Sequence, residues 1–228
     1  GTAVANASLL FLERFGTGTD STVYRAIDSF SCSPQICAVR CSPKSEPYAL
    51  QSARRRGAFL HREASMAHPH IIRFRRLVQE DSRIFLLMDF CPSGNLHDAI
   101  QRRVFEGDNG KVKVAFAPLL DALEECHRLG IYHQNIKLSN ILCSEDGSHL
   151  WLSGFTYATT DETSPNYRYL SGPHVSPESL QRVPYSVARG FSTAKNDIWA
   201  LGIILLGILT GSYPWTLADC QVESFRKY

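Results

Sequence analysis

The sequence lacks any regular pairing pattern among its cysteines, since no two of them form a C-x-x-C motif. Its seven cysteines are scattered, and no pair of histidines accompanies the three that lie closest together, Cys32, Cys37 and Cys41. This distribution excludes a zinc module of the usual spacing and a disulfide-rich secreted domain. We therefore expect reduced thiols, no bound metal, and a location inside the cell, in the cytoplasm or the nucleus.

Long apolar runs and a strong net charge are also missing. The longest apolar stretch, residues 198–209, is too short to cross a bilayer and predicts a buried helix instead. The first residues show no basic stretch followed by an apolar one, so no secretory signal is expected. A formal net charge of only +2 argues against a dedicated nucleic-acid binder. The sequence thus predicts neither a membrane nor a nucleic acid as partner.

The charge that is present is distributed unevenly along the chain. Residues 1–88 hold 12 Lys and Arg against 7 Asp and Glu, whereas residues 89–228 hold 12 against 15. The excess is concentrated at residues 54–56 and at Arg73, Arg75 and Arg76. We interpret it as a solvated basic face, and docking of an acidic partner or a phosphopeptide is the alternative.

The order of hydrophobic patterns indicates an α+β fold. Strand-like runs between turn-rich segments occupy residues 9–48, and two further runs follow at 71–78 and 83–89. Good helix formers fill residues 50–67, and apolar residues recur at helical spacing over 112–129. With 44% hydrophobic content, the 228 residues can bury a core as one domain or as two closely packed lobes.

Five separate motifs along the chain resemble those of protein kinases, and they occur in the same order. Residues 86–96 resemble the hinge segment, and 133–140 (H-Q-N-I-K-L-S-N) resemble the catalytic loop H-R-D-L-K-P-E-N. Ser-Pro-Glu at 176–178, D-I-W-A-L-G at 197–202 and G-S-Y-P-W at 211–215 resemble the A-P-E, D-x-W-S-L-G and G-x-x-P-W motifs. The chain is therefore identified as resembling the protein kinase superfamily.

The resemblance implies a bilobal fold and narrows the subfamily. A small β-rich N-lobe with one helix is expected over residues 1–88, and a larger helical C-lobe over 89–228 whose last helices are not in this sequence. Together the two lobes form one kinase-like domain. The sequences of residues 129–133 and of the Pro-Trp segment are most similar to those of fungal Ser/Thr kinases that regulate meiosis.

The positions that carry the chemistry in this family depart from its pattern. Asn135 stands where a kinase has the aspartate that accepts the proton of the substrate hydroxyl, and an amide cannot act as that base. Gly154 replaces the aspartate that holds Mg²⁺, which leaves Asn140 as a weak anchor for a hard cation. Lys137, which contacts the transferring phosphate in active relatives, is retained. The resemblance also implies that Asp197 accepts backbone hydrogen bonds beneath this loop and that Phe155 packs against His133. We therefore expect a degenerate member, a pseudokinase.

The ion pair of an active kinase is also expected to be absent. Arg40 replaces the lysine that contacts the nucleotide phosphates, and a planar guanidinium is a poor substitute for a compact ammonium. Its partner should be a glutamate on the helix of residues 50–67. Counting back from His68 places that position at Phe59, or at Ala58 if the helix has one extra residue, and neither is acidic. Glu63, one turn later, should face elsewhere.

The apolar half of a nucleotide pocket is retained. Two interpretations stay open: these side chains form an inter-lobe core, or they bind ATP or another nucleotide without Mg²⁺. No cofactor is required by the first interpretation. Two of the residues concerned are glycines of a loop in which Ser21 replaces the third glycine of the family pattern. The full set is Phe15, Gly16, Gly18, Val23, Ala38, Met88, Asn140 and Leu142.

These departures predict a protein that works through its surface. Our main hypothesis is a scaffold or allosteric regulator that binds another protein, such as an active kinase or its substrate, without phosphoryl transfer. One alternative is a switch that binds a nucleotide without consuming it. The other is a weakly active, unconventional Ser/Thr kinase in which Lys137, Asn140 and either Glu145 or Asp146 recruit a metal differently. The simpler interpretation of residues 145–147 is a turn before the next strand.

Overall fold

The computed structural model describes residues 2–4, 8–17, 21–30, 33–45, 47–164, 172–180 and 190–227. Within this part of the chain the predicted α+β, bilobal architecture is confirmed. A sheet with one long helix precedes a mainly helical lobe, and the last strand of the sheet ends at Met88.

The amino-terminal lobe is built on an antiparallel sheet of six strands, which we number in chain order. They are β1 (Thr2–Val4), β2 (Leu9–Thr17), β3 (Thr22–Asp28), β4 (Gln35–Pro43), β5 (Phe74–Gln79) and β6 (Arg83–Met88). Their order across the sheet is β1-β2-β3-β4-β6-β5. Apolar residues that alternate along β2 and β4 pack against β6, and the core of this sheet includes Leu9, Val39 and Phe85.

The fifth strand begins three residues later than the sequence predicts. Residues 71–73 are not part of the sheet, because this segment bonds to the other lobe. The N–H of Leu152 donates to the carbonyl of His70 at 2.8 Å, and the N–H of Ile72 donates to the carbonyl of Leu152 at 2.9 Å. An apolar run predicts extended backbone here correctly, but it cannot predict with which lobe the backbone pairs.

One long helix, α1 (Tyr48–Ala67), connects β4 to β5 and contacts the latter. It ends where the sequence predicts, since His68 precedes a proline and adopts an extended backbone. Its buried face is formed by Arg54, Gly57, Ala58, Leu60, His61 and Ala64. This face carries two titratable side chains, Arg54 and His61, among small and apolar residues, and both lie close to the candidate site.

The second lobe is mainly helical. The predicted helix at 112–129 is confirmed as α3, which begins earlier because the Asp108 side chain caps the N–H of Lys111 at 2.8 Å. Gly130, at φ +69°, follows its end. The described elements after β6 are α2 (Leu96–Gln101), α3 (Asn109–Arg128), β7 (Ile141–Cys143), β8 (Leu150–Leu152), β9 (Thr163–Ser164), β10 (Phe191–Ser192), α4 (Thr193–Thr210) and α5 (Glu223–Arg226).

The predicted buried helix of residues 198–209 lies within α4, which begins five residues earlier. Among the helices that the structure describes, α4 alone has the length and hydropathy of a membrane span, and half of that segment is buried inside the fold. Its buried Asn196 and Asp197 bond to loops of the same domain. These contacts are those of a core helix, and length and composition alone are weak evidence for anything else.

The cysteines of the described residues carry free thiols. Of the three neighbouring cysteines considered above for a zinc site, the structure describes two. Cys32 lies outside the described residues, whereas Cys37 and Cys41 are buried in the sheet. Burial raises the pKa of the Cys126 thiol to about 12, so this thiol is unreactive. The described part of the chain contains no group of three or more His, Cys, Asp or Glu that could hold a metal ion.

Candidate functional site

A cleft of about 740 Å³ lies between the two lobes, and the predicted site residues meet there. Gly18 falls outside the described residues. Gly154 does not line the cleft but is buried directly behind Asn140. The other predicted residues line the cleft: Phe15, Gly16, Val23, Ala38, Arg40, Met88, Asn135, Lys137, Asn140 and Leu142.

The apolar half of this cleft is a small cluster that spans both lobes. Ala38 and Met88 are buried and oppose each other across β4 and β6. Val23 and Leu142 are partly buried and pack against them. Phe15 is 41% exposed, and its ring meets that of Phe90 edge-on with centroids 5.0 Å apart. The partly open cluster leaves both sequence interpretations, inter-lobe core and nucleotide pocket, standing.

The segment that resembles a catalytic loop is held from below by Asp197, as predicted. One carboxylate oxygen accepts the N–H of His133 at 2.7 Å, and the other accepts the N–H of Gln134 at 2.8 Å. Gln134 has a positive φ of 58°, a conformation uncommon outside glycine, and its side-chain amide bonds to the carbonyl of Thr193 at 2.7 Å. The part that Gln134 takes in fixing this loop was not predicted from the sequence.

Asn135 is used as a hydrogen-bond donor at the position where a kinase requires a base. Its Nδ2 donates to the carbonyl oxygen of Gly154 at 3.0 Å. A carboxylate has no proton to donate at neutral pH and would meet that carbonyl oxygen with like charge. Asn140 in turn donates its Nδ2 to the carbonyl of Asn135 at 2.8 Å. The amide of Asn135 therefore ties the loop to residue 154, and the amide of Asn140 closes the loop on itself, through bonds that carboxylates could not make.

The space of the missing metal-binding aspartate is closed by Asn140. Gly154 has φ +88° and ψ 35°, in the left-handed region that glycine adopts without strain. A Cβ at this position would lie 2.4 Å from Cγ of Asn140, far inside van der Waals contact. No side chain therefore fits at residue 154 while Asn140 keeps its bond to Asn135.

Arg40 is partly buried and has no acidic partner among the residues that the structure describes. Its Nη1 donates to the hydroxyl of Thr156 at 3.0 Å, and its Nε is buried without a hydrogen-bond partner. No carboxylate of the described residues forms an ion pair with it. Burial lowers the pKa of the Arg40 guanidinium, and the neighbouring positive charge of Arg54 lowers it further. Thr156 was not predicted as a site residue, because nothing in the sequence indicates this contact.

The helix face opposite Arg40 carries no acidic residue, and Phe59, the position first predicted for the partner glutamate, is wrong. Phe59 is 60% exposed and points away, whereas the one-residue alternative, Ala58, is buried and lines a small cavity with Arg40. Gly57 lines the same cavity, and a Cβ there would lie 2.1 Å from the carbonyl oxygen of Phe155. Glu63 is exposed in a groove on the outward side, as expected. The structure therefore favours the alternative in which the helix has one extra residue before His68.

An aromatic column connects the two lobes beside the cleft. Phe155 meets His133 edge-on at 4.5 Å, which confirms the predicted contact, and it stacks on His61 of α1 at 4.8 Å. Burial lowers the pKa of both histidines to about 4, so both rings are neutral at the pH of the cell. His61 was missed at the level of sequence, although a histidine on the apolar face of a helix is a usable signal.

Half of the predicted basic face is engaged in internal contacts, whereas Arg55, Arg56 and Arg73 are exposed, as predicted. Arg54 is buried and its Nη1 donates to the hydroxyl of Ser42 at 2.8 Å. Arg75 pairs with Asp89 at 2.6 Å, and Arg76 pairs with Asp28. These three arginines stabilise the lobe from within, so the prediction of one solvated basic face is wrong for them.

The acids proposed to recruit a metal differently lie elsewhere. Asp146 accepts hydrogen bonds from the hydroxyl of Ser144 at 2.7 Å and the N–H of Ser148 at 3.0 Å. These bonds shape the turn between β7 and β8, which confirms the simpler interpretation of this segment. Neither Glu145 nor Asp146 is among the residues that line the cleft.

Comparison with known proteins places this geometry in context. The protein kinase domain family matches residues 10–227. The negative regulator of sexual conjugation and meiosis of Schizosaccharomyces pombe is 31% identical, and the match covers 99% of this chain and 51% of that protein. The serine/threonine-protein kinase ksp1 of the same organism is 28% identical over 95% of this chain and 46% of its own length.

A relative from a mammal shows the same partial coverage. The serine/threonine-protein kinase ULK3 of Rattus norvegicus is 30% identical, over 90% of this chain and 42% of its own length. The chain thus spans about half the length of the curated relatives that it matches.

Proposed function

Because this chain belongs to the protein kinase family, we propose that it is a pseudokinase, a kinase fold that acts as a scaffold or allosteric regulator through contact with another protein. The resemblance to fungal Ser/Thr kinases is confirmed by the relatives, one of which is named as a regulator of conjugation and meiosis. The observation that carries the proposal is the donor role of Asn135, whose amide bonds to the carbonyl of Gly154.

The size of the losses supports this proposal. A positioned general base contributes roughly 10²–10⁴ in rate, and charge stabilisation by a metal ion contributes several kcal/mol. Here an amide replaces the base, Gly154 supplies no ligand, and Arg40 has no acidic partner in the described structure. By contrast, Asp197 and the column of His61, Phe155 and His133 are retained. A fold that keeps its structural contacts but has lost its catalytic groups favours a function through contact with another protein.

A second candidate is a nucleotide switch that binds ATP without Mg²⁺. The apolar side chains of Val23, Ala38, Met88 and Leu142 line the cleft, and so do the cations Arg40 and Lys137. These cations could offset phosphate charge where a metal is not held. Both candidates share the loss of phosphoryl transfer and differ in whether a ligand occupies the cleft.

One experiment distinguishes these candidates and the remaining alternative. We expect no phosphoryl transfer above background with ATP, Mg²⁺ or Mn²⁺ and generic protein substrates. Thermal unfolding is measured in the same samples during titration with ATP. No shift in Tm favours the scaffold. A metal-independent rise in Tm favours the switch, and at a hundredfold excess of ATP over Kd it corresponds to about 2.7 kcal/mol of stabilisation.

The opposite result has an equally clear signature. Transfer that requires a divalent metal, and that the Lys137→Ala or Asn140→Ala variant abolishes, would establish an unconventional kinase and overturn the proposal. A third variant, Glu124→Ala on the exposed side of α3, serves as the matched control and should behave as the parent protein in both assays.

The outward side of α1 supplies a surface for the scaffold role. Phe59 and Met66 are 60% and 77% exposed, and they line a groove of about 490 Å³ with Leu129 and Ile131. Arg55, Phe59, Arg62 and Met66 follow each other at intervals of four, three and four residues, so they lie on one face. Two arginines against one acid, Glu63, give this face a positive charge. We propose that it binds an amphipathic helix of a partner protein whose flanks are acidic.

The groove is tested with a designed amphipathic peptide that carries leucines at i, i+4 and i+7 and glutamates on its flanks. We expect Phe59→Asp to weaken its binding at least about tenfold, because it places a charge in the apolar contact. Arg62→Glu should weaken it too, and a peptide with lysine flanks should bind less tightly. Val114→Asp on α3, which changes a side chain that is 66% exposed, is the control. Equal losses in Phe59→Asp and Val114→Asp would rule out the groove.

We also place the protein inside the cell, in the cytoplasm or the nucleus. The relatives named as Ser/Thr kinases and the free thiols of the described cysteines support this proposal.

A further inference from the structure

Two cations, Arg40 and Lys137, line the cleft around the positions that have lost their aspartates. The Nη1 of Arg40 donates to Thr156, which lies two residues after Gly154. The carbonyl of Gly154 accepts from Asn135, which lies two residues before Lys137. Hydrogen bonds and short chain segments therefore join both cations to residues 135 and 154. We call the part of the cleft lined by Arg40, Asn135, Lys137, Ser139, Thr156 and His174 the polar end.

The polar end, as the structure describes it, is lined by no carboxylate. The acidic residues that line the cleft within the described part of the chain are Asp89 and Asp98, which belong to the segment that follows β6. Asp89 is already paired with Arg75 at 2.6 Å. Because an amide and a glycine stand where the family pattern has two aspartates, the polar end is positively charged without a metal ion. It therefore favours a dianion that brings no cation with it.

A polar wall of the second lobe borders this end of the cleft. His174 and Asn196 both line it, and the N–H of Ser176 donates to Oδ1 of Asn196 at 3.2 Å. This bond fixes the segment that carries His174 against α4. Burial, with a smaller effect of the positive charge of Lys137, lowers the pKa of His174 to about 4, so the ring is neutral. The wall beside Lys137 is therefore polar and uncharged.

The structure assigns to the polar end the binding of a phosphate group without a metal ion, carried by a phosphorylated serine or threonine of the partner protein. Lys137 supplies a charge-assisted contact, Arg40 adds positive charge, and the hydroxyls of Ser139 and Thr156 line the same end. Such a phosphate carries about 1.5 to 2 negative charges at pH 7, which the two cations balance. The inference rests on the proposed scaffold role and names the chemistry of the partner.

A phosphorylated protein segment suits the polar end better than a nucleotide does. Nucleotide phosphates commonly hold Mg²⁺, and the described lining of this end has no carboxylate to share that ion. A phosphorylated side chain brings no metal. Ser139 is exposed, so such a side chain enters from solvent without crossing the apolar cluster of Ala38 and Met88. The flanking peptide then lies along the polar wall of His174 and Asn196.

The test measures the fluorescence anisotropy of two labelled peptide libraries, random except for a central phosphoserine or a central serine, in buffer with EDTA. We expect the phosphoserine library to bind at least about tenfold more tightly, because the phosphate supplies the charge-assisted contact. Inorganic phosphate should displace it, and added Mg²⁺ should not strengthen binding. Equal affinity of the two libraries overturns the assignment. Binding of ATP in EDTA without binding of the phosphoserine library also overturns it, in favour of the nucleotide switch.

Variants within the same cleft locate the site. Lys137→Gln should reduce the preference for phosphoserine at least about tenfold, and Arg40→Gln should act in the same direction. Arg102→Gln is the matched control, because it removes an exposed cation that lines the cleft at the end of α2, and it should keep the preference. Equal losses in Lys137→Gln and Arg102→Gln would show a general effect of charge and overturn the assignment.

Phosphoryl transfer is measured in parallel, so that the two proposals fail in different ways. Metal-dependent transfer would overturn the scaffold role on which this inference rests. Loss of the preference for phosphoserine without any transfer would overturn this inference alone.

Discussion

The Asp197→Ala variant should lower the free energy of unfolding by about 3–5 kcal/mol, because several buried N–H groups lose their acceptor at once. Asp197 is buried and accepts from the backbone of His133 and Gln134 and from the side chain of His127 at 3.1 Å. Gln134 also holds a positive φ that the loss of these bonds would release. Tm should fall on the order of 10 °C.

Urea unfolding followed by circular dichroism measures this change, with Glu124→Ala as the control. Glu124 is exposed, and its variant should differ by less than about 0.5 kcal/mol. A loss below about 1 kcal/mol in Asp197→Ala would show that the loop is held by other contacts. In that case the retained architecture would no longer support a scaffold role.

Restoring the two family aspartates should damage the protein and not revive it. In Asn135→Asp the donor to the carbonyl of Gly154 is lost and a carboxylate faces that oxygen, at a cost of about 1–3 kcal/mol. In Gly154→Asp the new side chain would start 2.4 Å from Cγ of Asn140 and would displace it from Asn135. The double variant should therefore unfold more easily and transfer no phosphate.

A second glycine provides a matched control for the strain. Gly107 has φ +72° but no atom within 4 Å of a built Cβ, so Gly107→Asp carries the left-handed penalty of about 1–2 kcal/mol without crowding. The difference between Gly154→Asp and Gly107→Asp in urea unfolding isolates the conflict with Asn140. Metal-dependent phosphoryl transfer by the double variant would contradict our account, since it would mean that only two residues separate this chain from an active kinase.

Particular residues show how far the sequence leads and where it stops. The spacing of apolar residues predicted α1 and α3, and the motif at 197–202 predicted the structural role of Asp197. The start of β5 and the choice between Phe59 and Ala58 were wrong by a few residues. The first error arises because an apolar run predicts extended backbone but not the lobe with which it pairs. The second arises because a count along the chain can miss by one residue, and one residue turns a helix face by about 100°.

What the sequence by itself determined is the loss of chemistry, because residue identity alone decides that asparagine is no base and that glycine binds no metal. Only the tertiary structure decided what replaced it. The amide of Asn135 finds its acceptor 19 residues away, and the guanidinium of Arg40 finds Thr156 at a separation of 116 residues. Such contacts depend on how the two lobes pack, and no local pattern of residues encodes the direction in which a buried side chain points.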